Sequence, residues 1–166
     1  MTKVAILMGS DSDLSIMKEA KTQLDEFNVE CEMKVLSAHR TPLETINFAT
    51  NAHLNGVKVI IAGAGGAAHL AGVIAAVTSL PVIGVPISQK NLQGLDSLLS
   101  MVQMPKGIPV ATVAIDGAKN AALLALRIIG TFDKEVFKKY EDFRNRQAQT
   151  VLEKDAKLQD KLQFEN

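Results

Sequence analysis

Five short strand-like runs, four of them mainly apolar and the second alternating with charged residues, recur along the chain, each followed by a polar or glycine-rich stretch and then by apolar positions at helical spacing. The first run, Lys3 to Met8, is apolar without alternation, as a strand buried on both faces would be. Leu14, Met17, Leu24 and Phe27 then share one face of a predicted helix, which Asn28 ends. A second strand runs from Cys31 to Leu36. Pro42 to Leu54 predicts a helix opened by its proline and closed by Asn55-Gly56. Val57 to Ala62 reads as the third strand, Gly63 to His69 as a glycine-rich loop, and Leu70 to Thr78 as a short alanine-rich helix. Pro81 to Val85 is the fourth strand, followed by a loop from Pro86 to Asn91 and a helix over Leu95 to Gln103. Met104-Pro105-Lys106-Gly107 turns the chain into a fifth strand, Val110 to Ile115, and Ala118 to Ile129 is another apolar helix.

Strand and helix alternate throughout, which calls for right-handed crossovers and a parallel sheet covered on both faces. The expected class is therefore α/β, a flavodoxin-like three-layer sandwich whose five-stranded parallel sheet has the order 2-1-3-4-5. Residues 1–166 read as a single domain without internal repeat or linker. The composition shifts only after Thr131, where a charged helix begins and runs to about Leu162. Val136, Tyr140, Phe143, Val151, Leu152, Leu158 and Leu162 form a broken apolar stripe on it. Such a helix buries too little to stand alone. Residues 132–166 are expected to lie on a neighbouring subunit, with a solvated tail at the last few residues.

Composition narrows the partners. Lys plus Arg and Asp plus Glu number 18 each, so no global field draws the chain to nucleic acid or an anionic membrane. Aromatic residues make up 4%, too few for a base-stacking platform. The lone cysteine, Cys31, excludes an internal disulfide, suits a reducing cytoplasm and reads as a small buried hydrophobe. The apolar run Val4 to Met8 is too short for a signal peptide, and no segment reaches the length of a membrane span.

The chemistry concentrates in loops that follow strands, the edge where open parallel sheets bind ligands. Ser37-Ala38-His39-Arg40-Thr41-Pro42 brings together a hydroxyl, an imidazole and a permanent cation. Gly9 to Asp13 precedes a helix N-terminus, where backbone N–H groups attract phosphate and Ser10 and Ser12 add donors. It matches neither a Walker loop nor a dinucleotide fingerprint. A carboxylate beside a phosphodianion repels it, so one aspartate is better matched to ribose hydroxyls, while Asp11 or Ser12 caps the helix. In the glycine loop, Gly65 and Gly66 are expected to bring backbone N–H groups close to a planar ring or carboxylate. His69 either caps the next helix or lines the pocket, and His53 reads as a surface residue. No cysteine nucleophile, paired glutamates, metal-binding spacing or Schiff-base lysine stands in these loops. What remains suits proton transfer on a phosphorylated, sugar-linked substrate.

Met8-Gly9-Ser10 with Ser12-Asp13, Ser37 to Pro42, Ala62 to Leu70, and Gln103-Met104-Pro105 with Gly107 together resemble the class I 5-(carboxyamino)imidazole ribonucleotide mutases of bacterial purine synthesis. The resemblance runs from the first strand through the helix after the fifth. It implies a cytoplasmic homo-octamer with active sites near subunit boundaries, and a reaction without cofactor or metal. It also implies that His39 transfers protons and that Ser10, Asp13 and Arg40 bind substrate; Ser12, Ser37, Gly65, Gly66 and His69, read from the loops themselves, are expected to bind it with them. A transient contact with the upstream carboxyaminoimidazole ribonucleotide synthetase is a further expectation. Two positions depart from the pattern. Ala71 stands where the family usually has proline, which implies a more mobile loop, and Ile115 to Asn120 is shorter than the common form. The nearest alternative is the related carboxylase that uses CO2 directly, which typically has His-Lys where this chain has His39-Arg40. A non-catalytic nucleotide- or flavin-binding module is the alternative from another class.

Overall fold

The computed structural model describes residues 2–164. Five parallel strands, β1 (Lys3–Met8), β2 (Glu30–Val35), β3 (Val57–Gly65), β4 (Val82–Ile87) and β5 (Ala111–Thr112), form one sheet in the order β2-β1-β3-β4-β5, as expected. Side chains alternate across it. Val4, Ile6 and Met8 of β1 meet α1 (Leu14–Glu26) and α5 (Ala118–Gly130), while Ala5 and Leu7 face α2 (Pro42–Asn51), α3 (Leu70–Val77) and α4 (Leu95–Val102). All five are buried, which is why β1 shows no polar alternation in sequence. A long helix, α6 (Lys134–Phe164), follows α5.

Several elements differ from expectation. The third strand continues to Gly65, so the first three residues of the anticipated glycine loop are sheet. Met8 pairs with Gly63, and Gly65 with Ile87. Gly63 is there for packing: a Cβ would strike the Met17 sulfur, just as one at Gly84 would strike that of Met101. The fifth strand shrinks to Ala111–Thr112. It lies at the sheet edge and pairs only with β4, and after Val113 donates to Gly84 O the chain turns away through Asp116 in the left-handed region. The second helix ends at Asn51 and tightens into a 3-10 turn, Ala52–Asn55, closed by Gly56 at φ 81°. Cys31 is only half-buried, because β2 is the opposite edge strand; that partial burial still pushes its thiol pKa up. Ala71, expected to loosen a loop, is fully buried inside α3.

The charged helix docks first on its own chain. The Asp133 carboxylate accepts from the N–H groups of Glu135 and Val136 at 3.0 and 3.2 Å and caps α6. Tyr140 and Phe143 then pack on Phe27, with centroids 6.1 and 5.7 Å away, and Lys139 Nζ donates to Phe27 O at 3.1 Å. Beyond this cluster Val151 and Leu152 are more than 60% exposed. The tail expected at the chain's end includes residues 165–166, which lie outside the described residues. Removing the ring at the centre of the cluster should loosen the helix. Phe27→Ala is expected to cost about 3 kcal/mol and to lower the thermal unfolding midpoint by about 10 °C. Limited proteolysis should then cut α6 sooner; an unchanged midpoint would mean that the aromatic cluster is not what holds it.

Candidate functional site

At the carboxyl edge of the sheet a cavity of about 400 Å³ opens between the ends of β1, β2, β3 and β4. Its wall includes Ser10, Ser12, Asp13, Ser37, His39, Arg40, Gly65 and His69, so eight of the nine residues picked out in the sequence line one space. Gly66 is the exception. It has φ +67° and donates its N–H to Ser97 Oγ at 2.8 Å, away from the opening.

The loop after β2 is held by its own side chains. Thr41 Oγ1 accepts from Ser37 N at 2.9 Å and lies 3.1 Å from Ser37 O, so one hydroxyl closes the turn just before Pro42 starts α2. Ser37 Oγ accepts from Arg40 N at 3.2 Å and, more weakly, from Arg40 Nε at 3.4 Å. Arg40 Nη2 then donates to Gly9 O at 2.7 Å, tying this loop to the one after β1. A guanidinium so braced offers its remaining N–H groups in a fixed direction. His39 leans over the strand ends to His69, with Nε2 to Nδ1 at 2.8 Å and the rings nearly perpendicular at 86°. His69 begins α3 but makes no side-chain cap, so it lines the pocket. His53 is exposed, as expected.

In the β1 loop the cap is neither Asp11 nor Ser12. Ser10 Oγ accepts from Ser12 N at 3.3 Å, because Ser10 is the extended residue immediately before the 3-10 turn Asp11–Asp13. Ser12 Oγ in turn donates to Asp13 Oδ1 at 3.1 Å. Asp13 is 5% exposed, and burial holds its carboxyl pKa above the ordinary range against the opposing hydrogen bond from Ser12, with a smaller upward push from Asp11. The glycine loop is less of a donor cradle than its sequence suggested. The N–H groups of Gly66 and Ala68 are taken by Ser97 Oγ and Ser100 Oγ at 2.8 and 3.1 Å. Both serines come from α4, one turn apart, and neither was singled out in the sequence. Hydroxyls at i and i+3 beside a glycine loop were the available signal. Gln89, on the loop after β4, was missed as well, although the strand order places that loop beside the end of β3.

A model of the AIR carboxylase family matches residues 3–150. An N5-carboxyaminoimidazole ribonucleotide mutase of Pyrococcus abyssi is 63% identical over 144 residues, 87% of this chain and 83% of that protein. Another of Thermotoga maritima is 53% identical, covering 96% of this chain and 93% of that one. Among solved structures, PurE of Treponema denticola superposes with a TM-score of 0.88 at 32% identity, covering 95% and 99% of the two chains.

The buried carboxylate sets a stability test. The folded chain keeps the Asp13 proton more readily than the unfolded chain does. Ionisation therefore weakens folding as pH rises from the ordinary carboxylate pKa through the raised one, and the loss persists above it. Asp13→Asn keeps an acceptor for Ser12 and removes the charge. It is expected to raise the unfolding midpoint near neutral pH and to change it little below the carboxylate range. An equal gain at both pH values would show that charge burial is not the cause.

Proposed function

The chain belongs to the AIR carboxylase family, and we propose that it is a mutase of purine biosynthesis acting on a carboxylated aminoimidazole ribonucleotide. The observation that carries this reading is the contact of His39 with His69 across a cavity whose far side holds Ser10, Ser12, Asp13 and Arg40. Relatives named as this mutase at 53–63% identity support it over the carboxylase that uses CO2 directly. So does Arg40, where that alternative typically has lysine.

In the proposed reaction the substrate carries its carboxylate on the exocyclic nitrogen, and the product carries it on the adjacent ring carbon. A cationic His39 gives a proton to the nitrogen as the N–C bond breaks and CO2 departs. The electron-rich ring carbon then attacks the retained CO2, forming the new C–C bond. Neutral His39 removes the proton left on that carbon, so one imidazole gives and then takes back a proton. The histidine pair suits this sequence. If His39 Nε2–H donates to His69 Nδ1, His39 Nδ1 is the nitrogen that serves both steps, and it has no hydrogen-bond partner among the described residues. Ser10, Ser12 and Arg40 would hold the phosphate, and Asp13 would accept from ribose hydroxyls. Holding CO2 beside the ring requires a pocket that keeps water out.

On one chain the cavity is open. Leu95, Leu99 and Val102 put exposed apolar side chains along α4, Leu92 does so on the loop before it, and Leu43 on α2. Such patches mark surfaces that associate. They support a homo-octamer whose neighbouring copies cover these faces and receive the outer half of α6. A cytoplasmic setting fits an unpaired cysteine, and a transient contact with the upstream synthetase would shield its unstable product. Among the described residues no helix is long and apolar enough to cross a membrane.

His39→Asn is expected to lower turnover by about 10²–10⁴-fold while substrate affinity stays within a few-fold, measured by product absorbance and by calorimetry. Substantial retained activity would remove His39 from the reaction. Supplying the N-carboxylated nucleotide, or the uncarboxylated one with bicarbonate, separates mutase from carboxylase. Light scattering should give a mass eight times that of the chain, and a monomer or dimer would overturn the octamer.

A further inference from the structure

We infer that Gln89 recognises the carboxylate that moves during the reaction, and so distinguishes carboxylated from uncarboxylated nucleotide. This assignment rests on the functional reading of the same cavity. Gln89 stands on the loop after β4, on the wall opposite Ser37 and Arg40. Its carboxamide lies directly over Gly65, where a Cβ would collide with Nε2. That glycine therefore makes room for the amide at the cavity surface. The carboxamide has no hydrogen-bond partner among the described residues, yet its backbone is held. Gln93 N donates to Gln89 O at 2.9 Å, and the preceding residue, Ser88, donates its N–H to Asp116 Oδ1 at 2.8 Å. Asp116 N donates in turn to Pro86 O at 2.8 Å, so the segment after β5 braces the loop that carries the free amide.

The order of loops along the sheet sets what Gln89 can reach. Arg40 is anchored to Gly9 on the β1–β2 side, which fits the phosphate end of a nucleotide. The base must reach His39, whose ring rests on His69 at the end of β3. A substituent on the far edge of that base then points towards β4. The wall there is Ala64, Gly65, Ala67 and Leu70, apart from His69 and Gln89. A neutral amide also suits the chemistry better than a cation would. Loss of CO2 draws negative charge away from the carboxylate, so a cation bound to that group would favour the ground state over the transition state. An amide N–H orients the carboxylate with a weaker electrostatic hold, before and after it moves.

The test is calorimetric titration of the carbon-carboxylated nucleotide, the stable side of the reaction, and of the same nucleotide without its carboxyl. Gln89→Ala is expected to weaken binding of the carboxylated form by about tenfold and of the uncarboxylated form by no more than about twofold. Gln89→Glu keeps the shape and opposes the charge, and should weaken the carboxylated form by about tenfold more. Circular dichroism checks that each variant is folded. Equal losses on both nucleotides, or none on either, would overturn the assignment while leaving the mutase reading in place. A wild-type chain that binds neither nucleotide would overturn the mutase reading, and this inference with it.

Discussion

β1 is held in parallel register on both sides, with Met8 opposite Val35 of β2 and Gly63 of β3. Parallel pairing makes neighbouring strands end at one edge, and right-handed crossovers return every helix to the opposite edge. Four loops from distant parts of the sequence are thereby delivered to one place. His39 and His69 are 30 residues apart in sequence and share a hydrogen bond; Arg40 and Gly9 are 31 apart and share another. Shifting β1 by one residue would turn its buried set to the wrong faces and separate these partners as well. Fold and site thus depend on the same ladder.

Two methionines let that ladder be covered tightly. Met17 of α1 presses its sulfur onto Gly63, and Met101 of α4 does the same at Gly84, from opposite faces of the sheet. A flexible thioether fits a gap that a branched side chain would not. The glycines here serve the approach of helix to sheet. On the α4 side this closeness has a chemical consequence, since it brings Ser97 and Ser100 within reach of Gly66 and Ala68. The start of α3, and with it His69, is thereby positioned by hydroxyls from another element.

The sheet order and most elements were legible because burial on two faces leaves unbroken apolar runs, and helices leave spaced ones. The fifth strand was not, since Val110 to Ile115 is apolar apart from Thr112 and only pairing with β4 decides how much of it is strand. At the site, the residues that could be read were those whose chemistry is compressed into one loop, Ser37 to Arg40 above all. Gly65 could not be interpreted without Gln89, nor Gly66 without Ser97, because in both cases the partner comes from an element far along the chain. The choice of capping residue was equally hidden: Ser10, Asp11 and Ser12 all suit a helix start, and only the backbone turn selects Ser10.

Asp13 shows how stability and binding oppose each other here. A carboxylate nearly removed from water, with the Ser12 hydroxyl and the backbone N–H of Ser10 as donors and no cation paired to it among the described residues, weakens the free fold. The arrangement makes sense if a ligand brings the missing donors, since hydrogen bonds to ribose would lower the cost that burial imposes. The apolar residues left exposed on α2 and α4 follow the same logic on a larger scale, because water contact is unfavourable there until something covers them. In both places the isolated chain is held short of its lowest free energy. Nucleotide in the cavity and neighbouring copies on the outer helices would each relieve part of that cost, so binding and assembly would stabilise the fold together.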